Sequence, residues 1–172
     1  MDCCASRPID VLSRIHFCFM ASALVIPCHI RTKWDLKCLF RLLDSVREQT
    51  KVFSRVYVVD DASPLQYSLA DHDVDHMILE KNCGPARARN VAVTKALAAG
   101  HELIFFTDHD CILDRDWHSH MARYLADTNF AAAGGMTYSW DQHSWTATTK
   151  STALWPGSGC SRIGENSGTC HP

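Results

Sequence analysis

Three short segments carry residue types that could do chemistry. Asp60-Asp61-Ala62-Ser63-Pro64 and Thr107-Asp108-His109-Asp110 each follow an apolar run, and Asn82-Cys83-Gly84-Pro85-Ala86-Arg87-Ala88-Arg89-Asn90 lies between them. Carboxylates at the end of a strand can accept from a nucleobase N–H or from ribose hydroxyls, or can hold a divalent cation. Hard cations such as Mg²⁺ and Mn²⁺ take oxygen ligands, typically one or two carboxylates completed by phosphate oxygens. A helix that opens on glycine with an arginine close behind favours phosphate, through its backbone N–H groups and its positive charge. Each segment also has a plain structural reading. Two aspartates after a strand often make only a turn and a cap, and Arg87 and Arg89 can be solvated helix charges.

The chain contains its own control. Asp71-His72-Asp73 repeats the tripeptide Asp108-His109-Asp110. The earlier copy follows no apolar strand and sits in a polar stretch, residues 70–76. The later one follows Leu103-Ile104-Phe105-Phe106, which would hold it at the edge of a sheet. His72 and His76 make a weak candidate metal pair for the same reason. His118 and His120 stand two apart on an expected helix, so they point to different sides.

The elements that must position these residues alternate. Residues 23–26 form an apolar strand stopped by Pro27. Thr32 and Asp35 have the spacing of a capping box, and Leu36, Leu39, Phe40, Leu43 and Val46 follow on one helical face. Residues 56–59 and, more weakly, 77–79 are strands. Pro85 suits a first helical turn, where its missing N–H costs nothing. That helix continues through Val91 and Leu97 to a stop at Gly100. Residues 103–106 are a fourth strand. Trp117, Met121, Tyr124 and Leu125 mark another amphipathic helix, and residues 130–133 a fifth strand ending at Gly134-Gly135. Strands separated by helices imply a mostly parallel, Rossmann-like α/β sheet with helices on both faces. Such sheets bind ligands beyond the carboxyl ends of their strands. After about Tyr138 the rhythm stops in a Ser/Thr-rich tail. The expected organisation is an extension over 1–20, an α/β domain over 21–138 with its ligand site at the strand ends, and an irregular tail or a shortened further region over 139–172.

The bulk numbers agree with one globular domain and exclude several classes. With 172 residues, 47% of them apolar and 21% charged, the chain can bury a real core and is not disordered. A formal net charge of -2 argues against a nucleic-acid binder. No stretch reaches the length of a membrane span. The apolar run 17–26 mimics a secretory leader, but it enters Pro27 without a small-residue cleavage site, and a buried strand explains it better. Nine cysteines form no CxxC pair and no zinc-ribbon spacing, so reduced, mostly buried thiols in a cytoplasmic protein are expected. Peripheral contact with a membrane is left open.

Taken together and in order, these residues resemble the family 2 glycosyltransferases of the GT-A fold. The matching positions are Val25-Ile26-Pro27, Val58-Val59-Asp60-Asp61-Ala62-Ser63, Asn82-x-Gly84 with Ala88-Arg89-Asn90, Phe106-Thr107-Asp108-His109-Asp110, and Gly134-Gly135. The resemblance implies a nucleotide-diphosphate-sugar donor, uridine being the expected nucleoside, bound by Pro27, Asp60, Asp61, Gly84, Arg89 and Asp108. Asp60 and Asp61 would lie at the base, Arg89 near the diphosphate and Asp108 at the ribose. Asp110, with Asp108, would ligate Mn²⁺ or Mg²⁺. The implied reaction is inverting, metal-assisted attack of an acceptor hydroxyl, on a glycan, lipid or protein, at the anomeric carbon. The family's general base is an acid well after the Asp-x-Asp. Glu165 and Asp141 stand in no matching motif, so no base is assigned, and the acceptor half is expected to be largely missing. Cys28 and His29 depart from the family's small and polar or aromatic pair at the base pocket. The rival readings are a donor-binding remnant without turnover, a nucleotidyltransferase, and a phosphatase with an Asp-x-Asp nucleophile. In the last class the motif opens its domain, whereas here it comes late.

Overall fold

The computed structural model describes residues 20–125 and 132–135. The chain divides into two compact units, Ile15–Ser119 and a second made of Met1–Arg14 with His120–Pro172. The first holds a four-stranded sheet and every candidate site residue. Its elements, with the last helix running on into the second unit, are β1 (Ser22–Cys28), α1 (Lys33–Arg47), β2 (Arg55–Asp60), β3 (Asp75–Ile78), α2 (Pro85–Ala98), β4 (Leu103–Phe106) and α3 (Trp117–Leu125). The strand order is β3-β2-β1-β4, and all three pairings are parallel. All seven residues of β1 are buried, which requires cover on both faces of the sheet. On one face Ala23, Val25, Tyr57 and Val59 pack against Ala88, Ala92 and Ala96 of α2. Leu24, Ile26 and Val58, of opposite parity, are equally buried, as are Leu39, Leu42 and Leu43 of α1.

Several expected boundaries move, each for a physical reason. β1 does not stop at Pro27; it runs to Cys28, with Pro27 opposite Val59. Val25 accepts from Thr107 N on the β4 side, while Cys28 accepts from Asp61 N on the β2 side. Backbone groups alternate sides along a strand, so Pro27 turns its missing N–H towards β4. β4 has already ended there, since its last pair is Val25 with Phe106. A proline is tolerated in a central strand because no donor is needed at that point. β3 begins two residues earlier than expected. Asp75 and His76 look like loop, but β3 is an edge strand, where polar residues are ordinary. Asp75 is held by a two-bond fork from Arg55, both bonds 3.0 Å.

In α2 the buried stripe is alanine, not the larger residues: Leu97 is 59% exposed. Small side chains let the helix lie close on the sheet. In α1, Leu42 is buried, while Leu36 and Phe40 are only half-buried. The capping box is present. Thr32 Oγ1 accepts from Asp35 N at 3.2 Å, and Asp35 accepts from Thr32 N and Arg31 N at 2.9 Å. Of the expected fifth strand, residues 132 and 133 have no strand geometry, and residues 130 and 131 lie outside the described set. Four cysteines are described, all free; only Cys28 is buried, and Cys38, Cys83 and Cys111 are half-buried. Among the described residues no helix is long and apolar enough to cross a membrane.

Candidate donor-binding site

The sheet has one switch point. From β1 the chain builds outwards through β2 to β3, then crosses back by α2 to place β4 on the other side of β1. A crevice opens at the carboxyl edge where the order reverses, and ligands of open α/β sheets bind in such crevices. A cavity of about 310 Å³ lies there, walled by Pro27, Cys28 and His29 after β1 and by Asp108, His109 and Asp110 after β4, with Asp61, Pro85 and Arg89 completing it.

The turn after β2 is built from its own side chains. Asp60 is buried and accepts from Ser63 N at 2.6 Å, an Asx-type turn. Ser63 Oγ in turn accepts from Ile30 N at 2.7 Å, tying this turn to the segment after β1. Ala62, between them, is held at φ 53°. Asp61, also buried, accepts from the backbone N–H groups of Cys83 and Gly84, both at 2.7 Å. These N–H groups stand just ahead of α2, where a helix leaves donors without intrahelical partners. Gly84 is the N-cap, at φ 85° and ψ 161°, a conformation essentially reserved for glycine.

Deeper in the wall, the Cys28 thiol and the Tyr67 hydroxyl lie 3.2 Å apart. Burial pushes the Cys28 thiol up to about 12, with the Tyr67 contact opposing and the Asp60 and Asp61 charges adding. It is a packing group, not a nucleophile. His29 Nδ1 lies 2.9 Å from the Asp61 carbonyl oxygen, and the Asn82 amide lies against the same ring.

Across the cavity Arg89, on the second turn of α2, is ion-paired to Asp108. Asp108 and Asp110 are both exposed. The segment that follows them is anchored to the end of α1 and to the turn after it. Ser45 Oγ accepts from Leu113 N, Gln49 Nε2 donates to the Asp114 carbonyl at 2.6 Å, and Gln49 Oε1 accepts from His118 N. His118 is fully buried, stacked on Phe53, with Nδ1 2.7 Å from the Lys51 carbonyl oxygen.

Of the seven residues expected to form the site, Pro27, Asp61, Arg89, Asp108 and Asp110 line one cavity. Asp60 and Gly84 do not line it; they shape its walls through the bonds above. Cys28 and His29, marked in the sequence only as departures, are wall residues. The bond from Asp61 to the α2 entrance was not foreseen, although a helix N-terminus opening on Asn-Cys-Gly-Pro signals donors in need of an acceptor. The earlier tripeptide, Asp71-His72-Asp73, lies apart. His72 stacks on Phe40, Asp73 pairs with Arg55, and His76 lies against Tyr67. No cluster of three or more His, Cys, Asp or Glu side chains forms a metal cage among the described residues. Two exposed carboxylates beside an arginine suit an oxygen-liganded cation completed by phosphate.

The fold agrees with known proteins. Residues 23–168 match the family described as Glycosyl transferase family 2, and the chain belongs to that family. A curated relative, the dTDP-rhamnosyl transferase RfbF of Shigella flexneri, is 32% identical over 103 residues, covering 58% of this chain and 34% of the relative. The crystal structure of S. aureus TarS 1-349 superposes with a TM-score of 0.52 at 26% identity, over 64% of this chain and 33% of that one. The TarS 1-349 complex with UDP matches equally. The fold is GT-A, and the chain spans about one third of the length of the relatives it matches.

Proposed function

We propose that this cavity binds the nucleoside diphosphate of a nucleotide-sugar donor, and that the protein transfers the sugar to an acceptor hydroxyl with inversion. The carrying observation is the convergence of Asp61, Arg89, Asp108 and Asp110 on one cavity at the switch point of the sheet. The base lies between His29 and the Asp61 turn, the ribose at Asp108, and the diphosphate beside Arg89 and the entrance of α2. TarS is known in complex with UDP, and RfbF is named for dTDP. Uracil and thymine present the same N–H and carbonyl edge, so a pyrimidine diphosphate is the donor to test, UDP first.

Asp110 and Asp108 are the residues that would hold Mg²⁺ or Mn²⁺ in this cavity. When bound, the cation supplies charge neutralisation at the departing diphosphate. Arg89 adds positive charge to the same group and, in reaching it, exchanges its Asp108 partner for phosphate oxygens. The turn at Asp60 and the clamp at Asp61 keep these walls in place before the donor arrives. No base is assigned for the acceptor's proton; Asp141 and Glu165 lie outside the described residues.

The test is calorimetric titration with UDP, with and without Mn²⁺, of the parent and Asp110→Asn. Metal-dependent binding that Asp110→Asn abolishes supports the donor site. Silence from folded protein towards UDP, dTDP and GDP alike overturns it.

A further inference from the structure

We propose that the start of α1 is a docking surface for an anionic lipid bilayer. Trp34 seats in the headgroup layer, and Arg31, Lys33 and Lys37 lie over the lipid charges. The proposal stands apart from the donor site and does not require it.

Trp34 is 57% exposed, and Arg31, Lys33 and Lys37 around it are exposed as well. The Lys37 ammonium sits 5.6 Å from the centre of the Trp34 ring, so cation and indole form one patch. Among the described residues neither Lys33 nor Lys37 makes an ion pair. The one acid in the turn, Asp35, is occupied in the capping box. Three cations therefore face one committed carboxylate, on a chain whose formal net charge is -2.

Folding does not account for this arrangement. Cations at a helix N-terminus oppose the positive end of its dipole, and an indole left in water forgoes burial. Both features are favourable at a bilayer surface. Indole rings sit at headgroup depth, and lysine and arginine are drawn to anionic lipid. A soluble acidic partner would also satisfy these charges, and the resin arm of the test below reads it out. Only Ile30 separates Arg31 from the cavity-wall residue His29, so the surface shares the carboxyl edge of the sheet with the cavity.

The test is co-sedimentation of the 172-residue chain with vesicles of phosphatidylcholine alone or mixed with phosphatidylglycerol. Binding is expected to the mixed vesicles only, and to weaken in high salt. Lys33→Glu/Lys37→Glu is expected to lose more than about tenfold in lipid affinity, and Trp34→Ala severalfold. Both positions are exposed and Lys33→Glu places an acid in the first turn, where the helix dipole favours it, so the variant is expected to fold. Its UDP affinity, read in parallel, separates loss of the lipid surface from loss of the donor site. Failure to bind the mixed vesicles, or equal binding by the parent and Lys33→Glu/Lys37→Glu, overturns the proposal. Retention on a polyanionic resin without vesicle binding also overturns it, in favour of a soluble acidic partner.

Discussion

Asp61 shows how one side chain can belong to both the scaffold and the site. Its carboxylate takes the N–H groups of Cys83 and Gly84, and its backbone bonds to Cys28. Three segments of the cavity wall thus meet at one residue. Hydrogen bonds to a charged acceptor contribute about 1.5–3 kcal/mol each. Because both N–H donors lose their partner at once, Asp61→Ala should lower stability by about 2–4 kcal/mol in urea unfolding and weaken UDP binding with it. Gly84→Ala separates backbone from packing. No atom lies within 4 Å of an added Cβ, so the cost is conformational alone, about 1–3 kcal/mol by the same measurement. Arg89→Ala should leave stability nearly unchanged, since its ion pair is at the surface. It should still weaken UDP binding about tenfold or more in calorimetry, through loss of a charge-assisted contact.

The elements set the geometry that these residues use. Thr32→Ala removes the cap of α1 and should cost about 1 kcal/mol in urea unfolding. The anchor between α1 and the segment after Asp110 carries a pH dependence. Burial holds the His118 imidazole below its ordinary value, although its bond to the Lys51 carbonyl opposes the shift. Burial lowers His76 too, against the pull of Asp60. For a base with a depressed folded pKa, the unfolded chain takes up protons first. Stability is therefore complete above the ordinary histidine value of about 6.5 and falls as pH drops below it. Asp35 and Asp75, both lowered by hydrogen bonds that accept at the carboxylate, remain ionised in both states until far lower pH. The urea midpoint should thus drop between pH 7 and pH 5, and less so in His118→Gln. Much of this level was legible in the sequence. The Thr32 capping box, Pro85 at the start of α2 and the apolar run of β4 rest on local rules. What was not legible depends on neighbours: Pro27 continues β1 only because β4 ends beside it, and Asp75-His76 becomes strand only because β2 offers an edge.

At the scale of the whole molecule, order and spacing carried more than any single motif. The tripeptide Asp-His-Asp occurs twice, and only the copy behind an apolar strand reaches the cavity. The sheet order explains why: β4 crosses back beside β1 and delivers Asp108 and Asp110 opposite Pro27 and His29. The double role of Asp61 could not be read from the chain, because its partners are backbone groups of a loop 22 and 23 residues away. The chain belongs to glycosyl transferase family 2 and spans about one third of the length of the relatives it matches. The central claim is that the nucleotide lies at the switch point. A crystal structure with UDP and Mn²⁺ tests it most directly. Nucleotide density is expected between Pro27–His29 and Asp108–Asp110, with Arg89 turned from Asp108 to the diphosphate. Nucleotide bound elsewhere, with this cavity empty and Arg89 still on Asp108, would contradict it.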